Sequence, residues 1–172
     1  MKTRILSLTS VLLLAVTSQT QALEFSVAAG GTGHGDPVLR AGLTSDWQHQ
    51  WFASDTGQLS GYWDTGYTYW SSGRHSAAAH SLSLAPVFTY TFNRPVLKPF
   101  IEGGIGVAVF SKTRVNGRKL GSSLNFEDRI GAGIQLPNNG KLGIRAIHYS
   151  NAGLKNPNDG VDNYSLFYRH PL

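Results

Sequence analysis

Most of the chain consists of segments of about ten residues in which apolar and polar side chains alternate. A period of two places successive side chains on opposite faces of a β-strand. Gly, Pro, Asn, Ser and Asp separate the segments, and no amphipathic helical period extends over three turns. Eight strands are predicted on this basis: Leu23–Ala29, Val38–Trp47, Gln58–Trp70, His80–Phe92, Pro99–Phe110, Leu124–Leu136, Lys141–Ser150 and Asp162–Arg169.

The first 22 residues predict a cleaved secretory signal, with a retained N-terminal anchor as the alternative. Lys2 and Arg4 form a basic start, Ile5–Val16 is an apolar core too short to span a bilayer as a helix, and Thr20–Ala22 resembles a cleavage site. A single domain is therefore expected over residues 23–172. Because the signal contains no acidic residue, its removal lowers the formal net charge from +5 to +3, which does not predict a nucleic acid partner.

The two faces of the predicted strands indicate a membrane barrel. One face is apolar over about five alternate positions and is edged by aromatic residues, whereas the other carries few, balanced charges. Those charges are Arg40, Arg129 and Arg145 against Asp64, Glu102 and Glu127. In an exported chain without cysteine, this pattern predicts an all-β fold, an eight-stranded antiparallel transmembrane β-barrel of the outer-membrane type. Such a barrel pairs every backbone group and is too narrow for a pore.

Two features do not follow from this pattern. Asp128 interrupts the apolar row of the sixth predicted strand, and alternation alone does not explain it. The chain ends Arg169–Leu172 rather than in the aromatic residue common in outer-membrane barrels, which slightly favours the alternative of a soluble lipocalin-like barrel.

A candidate catalytic site lies where the seventh predicted strand ends and the eighth begins. With both chain ends on the periplasmic side, this point is at the outer surface. Strand parity then places His148, Ser150 and Asp162 on the outward face. Serine, histidine and an acid from neighbouring strands are the groups of a catalytic triad, so Ser150 is the predicted nucleophile, His148 its general base and Asp162 the group that fixes the imidazole tautomer. A triad on the outer wall predicts a lipid esterase, and ordinary interfacial polarity is the alternative.

Several stretches resemble the outer-membrane lipid A 3-O-deacylase family: GYWDTGYTYW (61–70), HSLSLAPVF (80–88), KPFIEGGIGVAVFS (98–111), LGSSLNFEDRIGAG (120–133) and RAIHYSNAGLKNPNDG (145–160). The resemblance implies an outer-membrane barrel that hydrolyses the ester at position 3 of lipid A, releases a 3-hydroxy fatty acid and uses no metal or organic cofactor. It also implies a Ser-His-Glu triad, whose members fall on Ser150, His148 and Asp162. Aspartate here is one methylene shorter than the more usual glutamate, and Asp159 is a second candidate acid.

An esterase also needs hydrogen-bond donors for the oxyanion of its tetrahedral intermediate. The candidates for this role or for substrate positioning are the Asn151 and Asn158 side chains and the Gly153 backbone N–H, with turn formation as the alternative role. Five basic loop residues are candidate contacts for lipid A phosphates: Lys112, Arg114, Arg118, Lys119 and Lys155.

The predicted partners are therefore lipid A and the lipids of the outer membrane. A homodimer formed through exposed aromatic surface is a further expectation. Three alternative functions stay open at this point: a non-catalytic structural or adhesion barrel, a soluble ligand-binding barrel, and another outer-membrane acyl hydrolase, phospholipase or acyltransferase.

Overall fold

A closed antiparallel barrel forms the body of the molecule. The computed structural model describes residues 23–73 and 77–172, and the predicted signal segment lies outside them. Its strands are β1 (Leu23–Gly31), β2 (Pro37–Asp46), β3 (Gly57–Trp70), β4 (Ala79–Phe92), β5 (Lys98–Phe110), β6 (Arg114–Val115), β7 (Arg118–Lys119), β8 (Leu124–Gln135), β9 (Lys141–Ser150) and β10 (Val161–Pro171). The eight long strands close in the order β1-β10-β9-β8-β5-β4-β3-β2, and β6 pairs only with β7. The predicted architecture is confirmed.

The outward and inward faces follow the predicted parity. On β4, for example, Leu82, Leu84 and Phe88 are exposed, whereas Ser81, Ser83 and Ala85 on the opposite face are buried. An apolar exterior around a polar interior is the reverse of a soluble barrel and is typical of a barrel embedded in lipid. Among the described residues there is no helix of sufficient length and apolarity to cross a membrane.

Paired charges fill the middle of the barrel. Arg129 Nη1 lies 2.9 Å from Asp64 Oδ2, and the same guanidinium also pairs with Glu127. Arg145 Nε lies 2.8 Å from Glu102 Oε1, and the Tyr62 hydroxyl donates to the other oxygen of that carboxylate at 2.7 Å. Buried charges are tolerated when they are paired and hydrogen-bonded, so the predicted balance of interior charges has a direct structural counterpart.

The barrel end at which β1, β3, β5 and β9 finish, here called the loop end, is covered by a hairpin that the strand pattern did not predict. Strands β6 and β7 are joined by Asn116 and Gly117, both with positive φ, which is the Asn-Gly turn preferred in tight hairpins. Val115 and Leu120 are buried beside Trp70, Phe110 and Tyr149. The hairpin thus seals the loop end with an apolar layer.

Candidate active site on the outer wall

His148 and Asp162 form a hydrogen-bonded pair on the outside of the barrel. They are direct cross-strand partners on β9 and β10, which places their side chains side by side on the same face. His148 Nδ1 lies 2.7 Å from Asp162 Oδ1, and the two side chains are 46% and 41% exposed. Strand parity predicted that His148 and Asp162 share the outward face, and the structure brings their side chains into contact. A carboxylate on Nδ1 holds the imidazole so that Nε2 faces away from the pair and is available as a base.

Ser150 lies two residues beyond His148 at the end of β9 and faces the same side. Its Oγ accepts a long contact from the Ala152 backbone N–H at 3.4 Å. Within residues 23–73 and 77–172, no hydrogen bond joins this hydroxyl to the imidazole. The serine is thus half-buried and faces the same side of the sheet as the His-Asp pair.

The loop after β9 is ordered by the side chain of Asn151. This residue is buried, and its Nδ2 donates to the backbone oxygens of Leu120 and Lys155 at 2.8 and 2.7 Å. Both amide N–H groups are therefore used inside the loop, so the side chain of Asn151 is a positioning group and not a free oxyanion donor. Of the two roles predicted for Asn151, oxyanion donor or positioning group, these contacts favour the second.

Asn158 and Gly153 keep the donors that an oxyanion site requires. The Asn151 backbone N–H donates to Asn158 Oδ1 at 2.9 Å, which orients the amide and leaves Nδ2 without a partner among the described residues. Gly153 is exposed, has φ of 77°, and its N–H is likewise unpaired within the described part of the chain. Both groups lie on the loop that follows Ser150.

Gly160 supports the imidazole from the loop side. A Cβ added to Gly160 would lie 2.6 Å from His148 Cε1 and 3.0 Å from Nε2, so the missing side chain makes room for the ring. Its φ of 65° also suits glycine better than any other residue. The Gly160 carbonyl accepts from Arg118 Nε at 3.0 Å, which ties the β6–β7 hairpin to the site.

Asp159, the second candidate acid, has a different position. Its Oδ2 accepts the Lys119 backbone N–H at 2.8 Å, and Arg118 donates to its carbonyl. The carboxylate therefore anchors the loop to the hairpin, while Asp162 is the acid that contacts His148. In the described parts of the chain, no group of three or more His, Cys, Asp or Glu side chains is arranged to hold a metal ion.

The comparisons with known proteins identify the family of this chain. Residues 38–171 match the family model described as lipid A 3-O-deacylase (PagL). The chain belongs to the lipid A 3-O-deacylase family. It is 57% identical over 155 residues to a lipid A deacylase PagL of Pseudomonas aeruginosa, covering 90% of each chain. It is 33% identical over 164 residues to a lipid A deacylase PagL of Bordetella bronchiseptica, covering 92% of this chain and 89% of that one.

A solved structure is similar to this chain in both fold and sequence. The crystal structure of the outer membrane enzyme PagL aligns with a TM-score of 0.85 and 58% identity, over 87% of this chain and 99% of that one. The predicted family, the predicted outer-membrane location and the predicted class of carboxylic ester hydrolase are confirmed. The soluble and non-catalytic alternatives are set aside on the same grounds.

In this member of the family, Asp128 lies on the other flank of His148. The register pairs Asp128 of β8 with His148, just as it pairs Asp162 of β10 with the same residue. Asp128 is exposed on the outer wall and forms no hydrogen bond or ion pair with any described residue. Its only signal in the sequence was the break in an apolar row, and the structure explains that break by its place beside the imidazole.

An apolar groove runs down the outer wall from the His-Asp pair. It has a volume of about 970 Å³, and its lining includes small residues of three strands, Gly103, Ala132 and Ala146. Ala146 and Tyr164 are the next outward-facing cross-strand pair below His148 and Asp162, and both line the groove. An apolar groove therefore lies directly below the site, and its lining is suited to contact with an acyl chain.

Proposed function

We propose that this protein hydrolyses the ester at position 3 of lipid A, with Ser150 as nucleophile, His148 as general base and Asp162 as the acid that orients the imidazole. The observation that carries the proposal is the His148–Asp162 hydrogen bond of 2.7 Å on the outer wall, next to Ser150 and above an apolar groove. Family membership supports the substrate, because the relatives in P. aeruginosa and B. bronchiseptica are named lipid A deacylases.

The outward position of the site supports a membrane lipid as substrate. A groove lined by Ile144, Tyr164 and Leu166 can hold an acyl chain without taking it out of the bilayer, so its apolar surface stays in apolar surroundings. The loop end then lies at the outer surface, where the polar head of lipid A would meet the loops. The scissile ester would lie at the boundary between the two, at the level of Ser150.

The reaction we infer has two acyl-transfer steps. Ser150 Oγ attacks the ester carbonyl carbon while its proton passes to His148 Nε2, and the Ser150–His148 hydrogen bond forms as substrate binds. The tetrahedral intermediate collapses, the C–O bond to the sugar breaks, and the sugar oxygen takes the proton from the imidazole. Water then attacks the acyl-enzyme while His148 accepts its proton. The bond between the acyl carbon and Ser150 Oγ breaks, the imidazole returns the proton to Oγ, and a 3-hydroxy fatty acid is released.

The oxyanion would be held by Asn158 Nδ2 and the Gly153 backbone N–H. Each such donor is typically worth about 3–4 kcal/mol of transition-state stabilisation, because the donor is fixed before charge develops. Asn151 would act one step removed from the reaction. Its backbone N–H fixes the Asn158 amide, and its side chain fixes the loop backbone.

Mass spectrometry of lipid A after incubation with the refolded protein in detergent tests the proposal. Wild type should remove one 3-hydroxyacyl group, and Ser150→Ala should remove none. Ser123→Ala, which alters an exposed loop serine outside the triad, is the matched control and should behave as wild type. Unchanged lipid A with folded wild type would contradict the reaction, and deacylation by Ser150→Ala would remove this serine from its centre.

Two further expectations stay predictions. Cleavage of the signal near residue 22 is tested by N-terminal sequencing of the membrane-inserted protein. Dimerisation through the exposed aromatic surface is tested by chemical cross-linking in membranes.

A further inference from the structure

A small polar cavity lies on the far side of Asp162 from His148. It has a volume of about 230 Å³ and is enclosed by three parts of the chain: the β1–β2 loop, the β6–β7 hairpin and the start of β10. Its lining residues are Thr32, Gly33, His34, Asn116, Arg118, Val161 and Asp162. Nothing in the triad chemistry uses the first five of these residues.

We propose that this cavity binds the phosphorylated saccharide head of the lipid substrate. The inference rests on the proposed deacylase function and specifies how that site recognises its substrate. The occupant is identified by the mixture of groups in the cavity and by the position of the cavity relative to the apolar groove.

The cavity offers donors suited to a phosphate. Arg118 uses Nε and Nη2 to hold the carbonyls of Gly160 and Asp159, and its Nη1 has no partner among the described residues. His34 contacts the Asn116 carbonyl through Nδ1 at 3.3 Å, which leaves Nε2 unpaired within the same described part of the chain. A guanidinium fixed by two backbone oxygens is preorganised, so it can bind an anion at little conformational cost.

The cavity also offers acceptors, which a phosphate alone would not need. Asn116 is only 2% exposed, and its buried Oδ1 lacks a hydrogen-bond partner among the described residues. Asp162 Oδ1 is bonded to His148, whereas Oδ2 faces Gly33. A carbonyl and a carboxylate oxygen suit the hydroxyl or amide N–H groups of an amino sugar, and a buried acceptor without a partner is costly unless a ligand or water supplies one.

The cavity and the groove together match the two parts of a lipid whose ester joins an acyl chain to a sugar. On β10, Val161 and Asp162 line the polar cavity, and Tyr164 and Leu166 line the apolar groove. The His148–Asp162 pair lies at the boundary between them. A molecule with its chain in the groove and its head in the cavity would therefore place its ester near the triad.

Gly33→Leu tests the assignment with little effect on the rest of the fold. A Cβ at Gly33 meets only Asp162 Oδ2, at 3.8 Å, and the residue does not have the positive φ that would disfavour a side chain. Leucine would therefore extend into the cavity without breaking a hydrogen bond, and Gly33→Ala is the matched small control. His34→Ala is a second variant, which removes a donor rather than adding volume.

The probe is a bis-phosphorylated glucosamine disaccharide without acyl chains, titrated into detergent-solubilised protein by calorimetry, with the unphosphorylated disaccharide as comparison. We expect the phosphorylated probe to bind wild type and Gly33→Ala alike, and Gly33→Leu at least about tenfold more weakly, as expected for the loss of charge-assisted contacts. His34→Ala should weaken it several-fold. Equal binding to Gly33→Leu and wild type, or no preference for the phosphorylated probe, would overturn the proposal.

Hydrolysis of a soluble p-nitrophenyl ester of a 3-hydroxy acid separates the head site from the chemistry. Gly33→Leu should lose several-fold more kcat/KM on lipid A than on this headless ester. An equal loss on both substrates would show that the variant damages the triad and would contradict a separate head site. If wild type binds the probe but leaves lipid A intact, the deacylase proposal fails and the head site stands. If wild type deacylates lipid A but does not bind the probe, the deacylase proposal stands and the head site fails.

Discussion

Replacing Asp162 by asparagine tests whether the His148–Asp162 pair does the work of a triad acid. The asparagine amide is nearly isosteric with the carboxylate but is neutral, and it can present an N–H to Nδ1 and so favour the wrong imidazole tautomer. Because both side chains are on the outer wall and partly exposed, the barrel interior should not be affected. The change therefore isolates one charge and one hydrogen bond.

The size of the effect follows from the 2.7 Å bond and from its exposure. A hydrogen bond to a charged group contributes about 1.5–3 kcal/mol. Since about 1.4 kcal/mol of activation free energy changes a rate tenfold, losing this bond should lower kcat roughly 10- to 150-fold. Side-chain exposures of 46% and 41% allow solvent to weaken the charge interaction, so the expected loss is in the lower part of this range. A loss as large as the about 10⁴-fold seen for a buried triad acid is not expected.

The assay is the initial rate of 3-hydroxy fatty acid release from lipid A in mixed micelles, with the melting temperature of each variant measured alongside. Asp162→Glu is the matched control, which keeps the charge, adds one methylene and should stay within about an order of magnitude of wild type. Asp128→Asn tests the carboxylate on the other flank of His148. Wild-type kcat for Asp162→Asn, or a larger loss for Asp128→Asn than for Asp162→Asn, would refute the assignment of Asp162 as the orienting acid.

Three further outcomes are expected. Gly160→Ala should lower kcat at least about tenfold, because its Cβ would crowd His148 and its positive φ costs an alanine about 1–2 kcal/mol. Gly35→Ala is the control for backbone strain, since Gly35 also has a positive φ, has open space around the Cβ and lies outside the triad and the oxyanion loop. Asn151→Ala should lower the local free energy of unfolding of the loop end by about 1–3 kcal/mol and reduce kcat, because two hydrogen bonds that hold the loop are lost. Hydrogen exchange of the loop measures the first effect and the initial rate of lipid A deacylation measures the second. An unchanged deacylation rate with faster hydrogen exchange in the loop would contradict the positioning role. Ala146→Trp should raise KM for lipid A by filling the groove while sparing a short-chain ester, and equal effects on both would contradict acyl binding there.

The barrel was largely predictable from the sequence, because a sheet buried in lipid leaves a two-residue period over every strand. All eight long strands lie where alternation predicts them, with bounds that differ by one or two residues at most. The interior charges were also predictable as a balanced set. Their partners were not, since Arg129 pairs with Asp64 from a strand remote in sequence and with Glu127 from its own.

The β6–β7 hairpin was missed because its strands are two residues long and carry no usable period. The signal that would have found it is Asn116-Gly117, the dipeptide most typical of a tight hairpin turn. What the hairpin does was beyond the reach of any local signal. Its contacts with Gly160, Asp159 and Asn151 lie 31 to 42 residues away along the chain and exist only after the barrel closes.

For the site, the sequence by itself determined the strands, the outward parity of His148, Ser150 and Asp162, and the family. It determined these because parity and motif are local properties of a strand. Only the tertiary structure decided that Asp162 and not Asp159 contacts the imidazole, and that Asn151 holds the loop while Asn158 keeps a free donor. It also decided that Asp128 flanks His148. These are matters of register and of loop packing, which depend on which strands become neighbours when the barrel closes and not on the residues of any one strand.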